Sequence, residues 1–190
     1  MSKDCLPHNV SSQFLRSAFP LYYFDTLTHF GNYIGHALEK KGIFPYCVIS
    51  IVARPNTGKT HIAMGISNSL SPEGTIIEST QKHKKRPVWT VRQDRDNYVV
   101  NIDMKQQFHG RNRQMDSKPS SPWMPSFKKN NCVIIEHTPM EHLEKTDLII
   151  HIDNGATTII RNYANPNSEV GQFLHKESQK FDYKKVPLRS

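Results

Sequence analysis

The chain has 190 residues, 36% of them hydrophobic, three cysteines and a formal net charge of +8. That length suits one domain with a core large enough to fold alone. The chain holds no apolar run of transmembrane length, no CxxC pair for a zinc site or disulfide framework, and no continuous apolar leader near its start, so a reducing, cytoplasmic setting without membrane contact is expected.

Residues 1–24 carry Pro7 and Pro20 and no sustained period, and are expected to be irregular. Leu27, Phe30, Ile34 and Leu38 then follow at helical spacing, with Asp25 or Thr26 to cap the helix and Gly42 to end it. His29 and His36 on this helix read as packed or surface residues rather than metal ligands. The apolar, partly β-branched run Val48–Val52 predicts a strand. It breaks into Ala53-Arg54-Pro55-Asn56-Thr57-Gly58-Lys59-Thr60, and Ile62, Ile66 and Leu70 follow on one helical face.

Strand, loop and helix with Gly-Lys-Thr at the helix start is the context a phosphate-binding loop needs. Backbone N–H groups of such a loop cradle phosphates, and the positive end of the helix adds to them. The residues expected to meet the nucleotide are Ala53, Asn56, Thr57, Gly58, Lys59, Thr60 and His61. Lys59 would pair with the β- and γ-phosphates, and the Thr60 hydroxyl would bind Mg²⁺. Ala53 stands where the usual motif opens with glycine. It is small but cannot take positive φ cheaply.

Gly74–Glu78 predicts a further strand, followed by the basic run Lys82-His83-Lys84-Lys85-Arg86, which reads as a solvated turn ahead of Pro87, with an RNA contact or a nuclear signal as the alternative. Val88–Val91 and Tyr98–Ile102 flank a turn over 93–97 and predict a hairpin whose second arm ends in Asp103. Residues 104–131, rich in Ser, Pro, Lys and Asn, read as an insertion. Cys132–Ile135 is an apolar strand ending in Glu136. Leu148–Ile152 and Thr157–Ile160 flank the turn Asp153-Asn154-Gly155, and a short helix is expected over Glu169–Leu174.

The charge is localised. Residues 104–131 hold six Lys/Arg against Asp116, a net +5, and residues 171–190 hold five against Glu177 and Asp182, a net +3; together these equal the whole +8. Such segments suit an anionic partner, RNA among them, or a solvated loop and tail.

Nucleotide hydrolysis also requires an acidic group at the end of a buried neighbouring strand. Glu136 and Asp103 have that context. Glu136 is assigned as the carboxylate that holds metal or orients water, and Asp103 as a second metal-shell or switch residue. Asp153 begins Asp-Asn-Gly and suits a turn.

In order and rough spacing these motifs resemble the TsaE family, the bacterial P-loop ATPases of tRNA threonylcarbamoyladenosine biosynthesis. The resemblance runs from about Asp25 to Leu174. It rests on Thr28-His29-Phe30-Gly31 in the first helix, Gly58-Lys59-Thr60-His61-Ile62-Ala63-Met64-Gly65 at the loop, and Glu78-Ser79-Thr80 ending the next strand. Asn101-Ile102-Asp103, Ile135-Glu136-His137, and Arg161 followed by Gly171 complete it. The chain departs from the family at the glycine-poor loop, at Met104-Lys105-Gln106, and at His137 in place of a tryptophan.

The resemblance implies ATP and Mg²⁺ as cofactors and the threonylcarbamoyl-transferase complex proteins as partners. The expected fold is α/β of the P-loop NTPase type, a mostly parallel sheet flanked by helices with an antiparallel hairpin at one edge. The expected organisation is an irregular segment 1–24, an ATPase domain 25–174 with the basic insertion 104–131, and a basic tail 175–190. Two other readings remain: a nucleotide-binding protein without useful turnover that holds a partner or RNA, and a P-loop kinase for a small acceptor, with Arg111 and Arg113 as the only lid arginines.

Overall fold

The computed structural model describes residues 8–20, 24, 26–41, 47–54, 57–70, 75–80, 88–94, 97–103, 131–136, 143 and 146–180. The elements are α1 (His8–Gln13), β1 (Leu15–Pro20), α2 (Leu27–Lys40), β2 (Cys47–Val52), α3 (Lys59–Leu70), β3 (Thr75–Thr80), β4 (Val88–Asp94), β5 (Asn97–Asp103), β6 (Asn131–Glu136), β7 (Leu148–Asn154), β8 (Thr158–Ala164) and α4 (Glu169–Gln179).

One sheet of eight strands runs in the order β1-β8-β7-β2-β6-β5-β4-β3. Its centre, β7-β2-β6-β5, is parallel. Antiparallel strands flank this centre on both sides: β8 and β1 at one edge, β4 and β3 at the other. The two hairpins read from the sequence are β4–β5 and β7–β8. Because the central strands are parallel, β2, β5, β6 and β7 all end at the same edge, and ligands of open α/β sheets bind outside such carboxyl ends.

The helices follow their apolar faces. In α2, Phe30, Ile34 and Leu38 are buried, and Thr26 is the N-cap, its side chain accepting a bond from the amide of His29 at 3.0 Å. In α3, Ile62, Ile66 and Leu70 are buried. These residues join Ile49, Ile51, Ile134 and Ile150 in the main core on one face of the sheet. Val52 and Ile149 alternate to the other face, where they meet Val10, Phe14 and Leu143.

Residues 15–20, expected to be irregular, form strand β1, and α1 precedes it. The reason is tertiary: β1 pairs antiparallel with β8, and Phe19 is buried against Phe24, Phe30 and Tyr33. Pro20 ends an edge strand, where a missing N–H is tolerated. At the other end of the chain α4 continues past Leu174 through Gln179, so residues 175–179 belong to the folded body. Ser168 caps α4, its hydroxyl accepting from the amide of Gly171 at 3.1 Å, and Ser178 is buried, with Oγ 2.8 Å from Ser17 Oγ. The basic run 82–86, the insertion over 104–130 and the residues after Lys180 lie outside the described residues.

Asp147 ties the edge of the sheet opposite the loop together. Its Oδ2 accepts from the amide of Val48 at 2.7 Å, its Oδ1 accepts from the Ser168 hydroxyl, and its carbonyl accepts from the amide of Asn165 at 2.9 Å. Cys47 and Cys132 are in register on β2 and β6 and fully buried as free thiols. The hydrogen bond with Cys132, and then burial, push the Cys47 thiol well above its usual range, which keeps it inert. Among the described residues no helix is long and apolar enough to cross a membrane.

Candidate functional site

The loop after β2 is built from buried and bonded groups. Ala53 is buried in the main core, which explains why a small apolar residue serves at that position. Gly58 has φ of 100°, the left-handed region that glycine adopts without strain. A side chain there would also collide with Leu27 of α2. The first amides bonded within α3 are those of His61 and Ile62, both to the Gly58 carbonyl at 3.1 and 3.3 Å. The helix therefore starts at the glycine, with its positive end facing the loop.

Lys59 is only 4% exposed. Its Nζ donates to the Ala53 carbonyl at 2.9 Å and to the Arg54 carbonyl at 2.6 Å, which draws the ammonium back along the loop. The Thr57 hydroxyl donates to the same Arg54 carbonyl at 2.7 Å. Thr60 Oγ1 donates to Glu136 Oε1 at 2.8 Å. Glu136 is 2% exposed, and a buried carboxylate requires such a donor. The structure thus brings Lys59, Thr60 and Glu136 to one edge. Arg54 and His61 lie exposed beside them, while Asn56 is outside the described residues.

Strand register sets the neighbours. Glu136 stands opposite Ile51 on β2 and opposite Asp103 on β5, so the backbone of Asp103 lies directly beside that of Glu136. Asp153 lies on the other side of β2. Its Oδ2 is 3.5 Å from Arg161 Nε on β8. Asp153 and Asn154, expected to open the turn, are instead the last residues of β7, opposite Ile159 and Thr158, so the turn falls over 155–157. Sequence reasoning missed His151, which is 9% exposed and opposite Val52, next to the start of the loop. It also missed the bond from the Thr57 side chain. A histidine inside an apolar run gives no periodic signal, and only the register reveals its place.

Helix α2 holds α3 in position. A Cβ on Gly65 would press on the Thr28 carbonyl and meet Gly31 Cα at 3.0 Å, and one on Gly31 would press on the Ile62 carbonyl. Ser69 Oγ donates to Asn32 Oδ1 at 2.9 Å along the same contact. The Thr28–Gly31 segment noted in the sequence therefore packs directly against the loop-bearing helix, as Gly35 does one turn on against Ile66 and Ser69. Among the described residues no group of three or more His, Cys, Asp or Glu forms a metal cage.

No family model and no curated protein sequence matches the chain. Among solved structures it is similar to a crystal structure of Bacillus subtilis YdiB, with a TM-score of 0.50 and 10% identity over 88% of this chain and 96% of that chain. At that identity the likeness shows the fold: the chain has an α/β architecture of the P-loop type.

Proposed function

We propose that this protein binds ATP with Mg²⁺ and hydrolyses it, and that it serves the modification of tRNA adenosine in the manner of the TsaE family. The observation that carries the reading is the 2.8 Å bond from Thr60 to Glu136 directly beside the loop that holds Lys59. A P-loop hydroxyl bonded to a buried carboxylate is an oxygen pair of the kind that holds Mg²⁺, an ion bound by one or two protein oxygens plus substrate phosphates rather than by a dedicated cage. When bound, the ion would neutralise charge developing on the phosphates.

The residues divide the work. Lys59 would neutralise the phosphates, the start of α3 would donate amides to them, and Thr60 would orient toward the metal. Glu136 would hold metal or a water for attack, and Asp103, in register beside it, would complete the acidic edge. ATP turnover would reset a complex with the threonylcarbamoyl-transferase proteins, with no small substrate phosphorylated. The basic segments 104–131 and 171–190 would contact RNA or an acidic partner.

A second reading, nucleotide binding without useful turnover, is favoured by the loop itself, which has no glycine between Ala53 and Thr57. Phosphate release measured with and without a small-molecule acceptor separates the readings. Release that needs no acceptor supports the ATPase, binding without release supports the second reading, and acceptor-dependent loss of ATP would point to a kinase. Co-purification of transferase components and tRNA tests the biological role, and their absence would remove it.

A further inference from the structure

We propose that the Thr57 hydroxyl is a positioning residue for nucleotide binding, acting through the Arg54 carbonyl on Lys59. This rests on the nucleotide reading above. The Arg54 carbonyl accepts two bonds, from Thr57 Oγ1 at 2.7 Å and from Lys59 Nζ at 2.6 Å. A carbonyl oxygen has two lone pairs, and these donors use both. The bond from Thr57 fixes the peptide plane after Arg54, and that plane fixes one of the oxygens to which the ammonium donates.

The loop has a particular need for such a clamp. Phosphate loops commonly reach their shape through glycines, whereas residues 53–57 here are Ala, Arg, Pro, Asn and Thr. Pro55 restricts its own φ, and the residue before a proline is restricted too. A loop with few conformations still requires one of them to be selected. The Thr57 side chain selects it by bonding back three residues, as threonine hydroxyls do in turns. Thr57 is half-buried and Arg54 exposed, so neither side chain is part of the buried core. The ligand class that benefits is a nucleoside di- or triphosphate whose β-phosphate meets Lys59.

The test is titration of Mg–ATP against wild type, Thr57→Val, Thr57→Ser and Lys59→Ala, with steady-state hydrolysis alongside. Thr57→Val keeps the shape and removes the donor. It should raise Kd and KM by about 3- to 10-fold, the net value of one hydrogen bond, and leave kcat within about twofold. Thr57→Ser should restore wild-type affinity. Wild-type affinity in Thr57→Val overturns the inference, and so does equal weakening in Thr57→Val and Thr57→Ser, which would assign the effect to the methyl group. A fall in kcat with KM unchanged would place the hydroxyl on the reacting phosphate and also overturn it. Should Thr57→Val not fold, Thr57→Ala carries the same comparison. If wild type binds no Mg–ATP, or Lys59→Ala binds as wild type does, the phosphate-loop reading fails and this inference fails with it.

Discussion

Thr60 and Glu136, 76 residues apart in sequence, meet through a 2.8 Å hydrogen bond at the edge where β2 and β6 end. The hydroxyl belongs to the first turn of α3 and the carboxylate to the last residue of a buried strand, so the contact depends on the placement of helix and sheet together.

Glu136→Gln should keep nucleotide affinity, because the amide oxygen still accepts from Thr60, and should lower hydrolysis by about 10²-fold or more through loss of a charge needed at the transition state. Phosphate release under saturating ATP reads this. Asp153→Asn serves as the contrast and should change little, since Asp153 faces Arg161. The reverse ranking would move the acidic role to β7.

Lys59→Ala should abolish the thermal stabilisation that Mg–ATP gives, since a ligand of the native state stabilises only while it binds. The variant should also unfold more easily without nucleotide, by about 1–3 kcal/mol, because the carbonyls of Ala53 and Arg54 lose a donor in a partly buried loop. Thermal shifts with and without Mg–ATP measure both. A folded variant stabilised as much as wild type would remove Lys59 from the phosphates.

Gly65→Ala should cost about 1–3 kcal/mol, the usual range for overpacking, because its Cβ has no room against α2. The displacement would carry α2 and Leu27 away from Gly58, so nucleotide affinity should fall as well. Gly155→Ala has its nearest neighbour at 3.9 Å and should stay within about 0.5 kcal/mol of wild type. Chemical denaturation of the two variants decides. Equal midpoints would mean that α2 and α3 separate freely.

Acid should weaken the docking of α4. The hydrogen bond from Lys180 lowers the Glu177 carboxyl below its usual range, burial opposes that shift, and the charges of Lys180 and Lys40 reinforce it. A carboxyl with a depressed folded value adds stability above its unfolded value and loses it as pH falls through the folded one. Stability should therefore decline on acidification below the ordinary glutamate range, and Glu177→Gln should flatten that part of the profile. A profile unchanged by the substitution would show that these ion pairs are too screened to count.

Two truncations separate the tail from the fold. Removing 181–190 should leave the Mg–ATP thermal shift intact. If the tail holds RNA, the same cut should weaken RNA binding and flatten its salt dependence, since fewer counterions are released. Removing 175–190 also takes Ser178 and its contact with Ser17, so it should lower the melting temperature. RNA affinity unaffected by either cut would leave the tail without that role.

Much of this edge was legible in the sequence because its signals are local. The apolar run into Gly58-Lys59-Thr60, the helical stripe after it and the apolar strand ending in Glu136 each announce themselves within a dozen residues. Other features are set by partners far away. The strand state of β1 comes from pairing with β8, and Leu15-Arg16-Ser17-Ala18-Phe19 shows no alternation strong enough to predict it. Asp147 reads as any acidic residue before a strand until Val48, 99 positions earlier, is seen to donate to it. Helix α4 outruns its apolar pattern because a polar residue, Ser178, supplies the last buried contact.

The place of β2 between β6 and β7 also bears on how the protein is made. Both neighbours leave the ribosome long after β2 does. At roughly 5–20 residues per second, the interval from residue 52 to residue 131 is on the order of ten seconds. Throughout it, Cys47–Val52 has neither lateral partner, an apolar segment with two open edges. The loop after β2 therefore emerges early but meets its sheet neighbours late, and until β6 is complete that strand stays open to pairing with another chain.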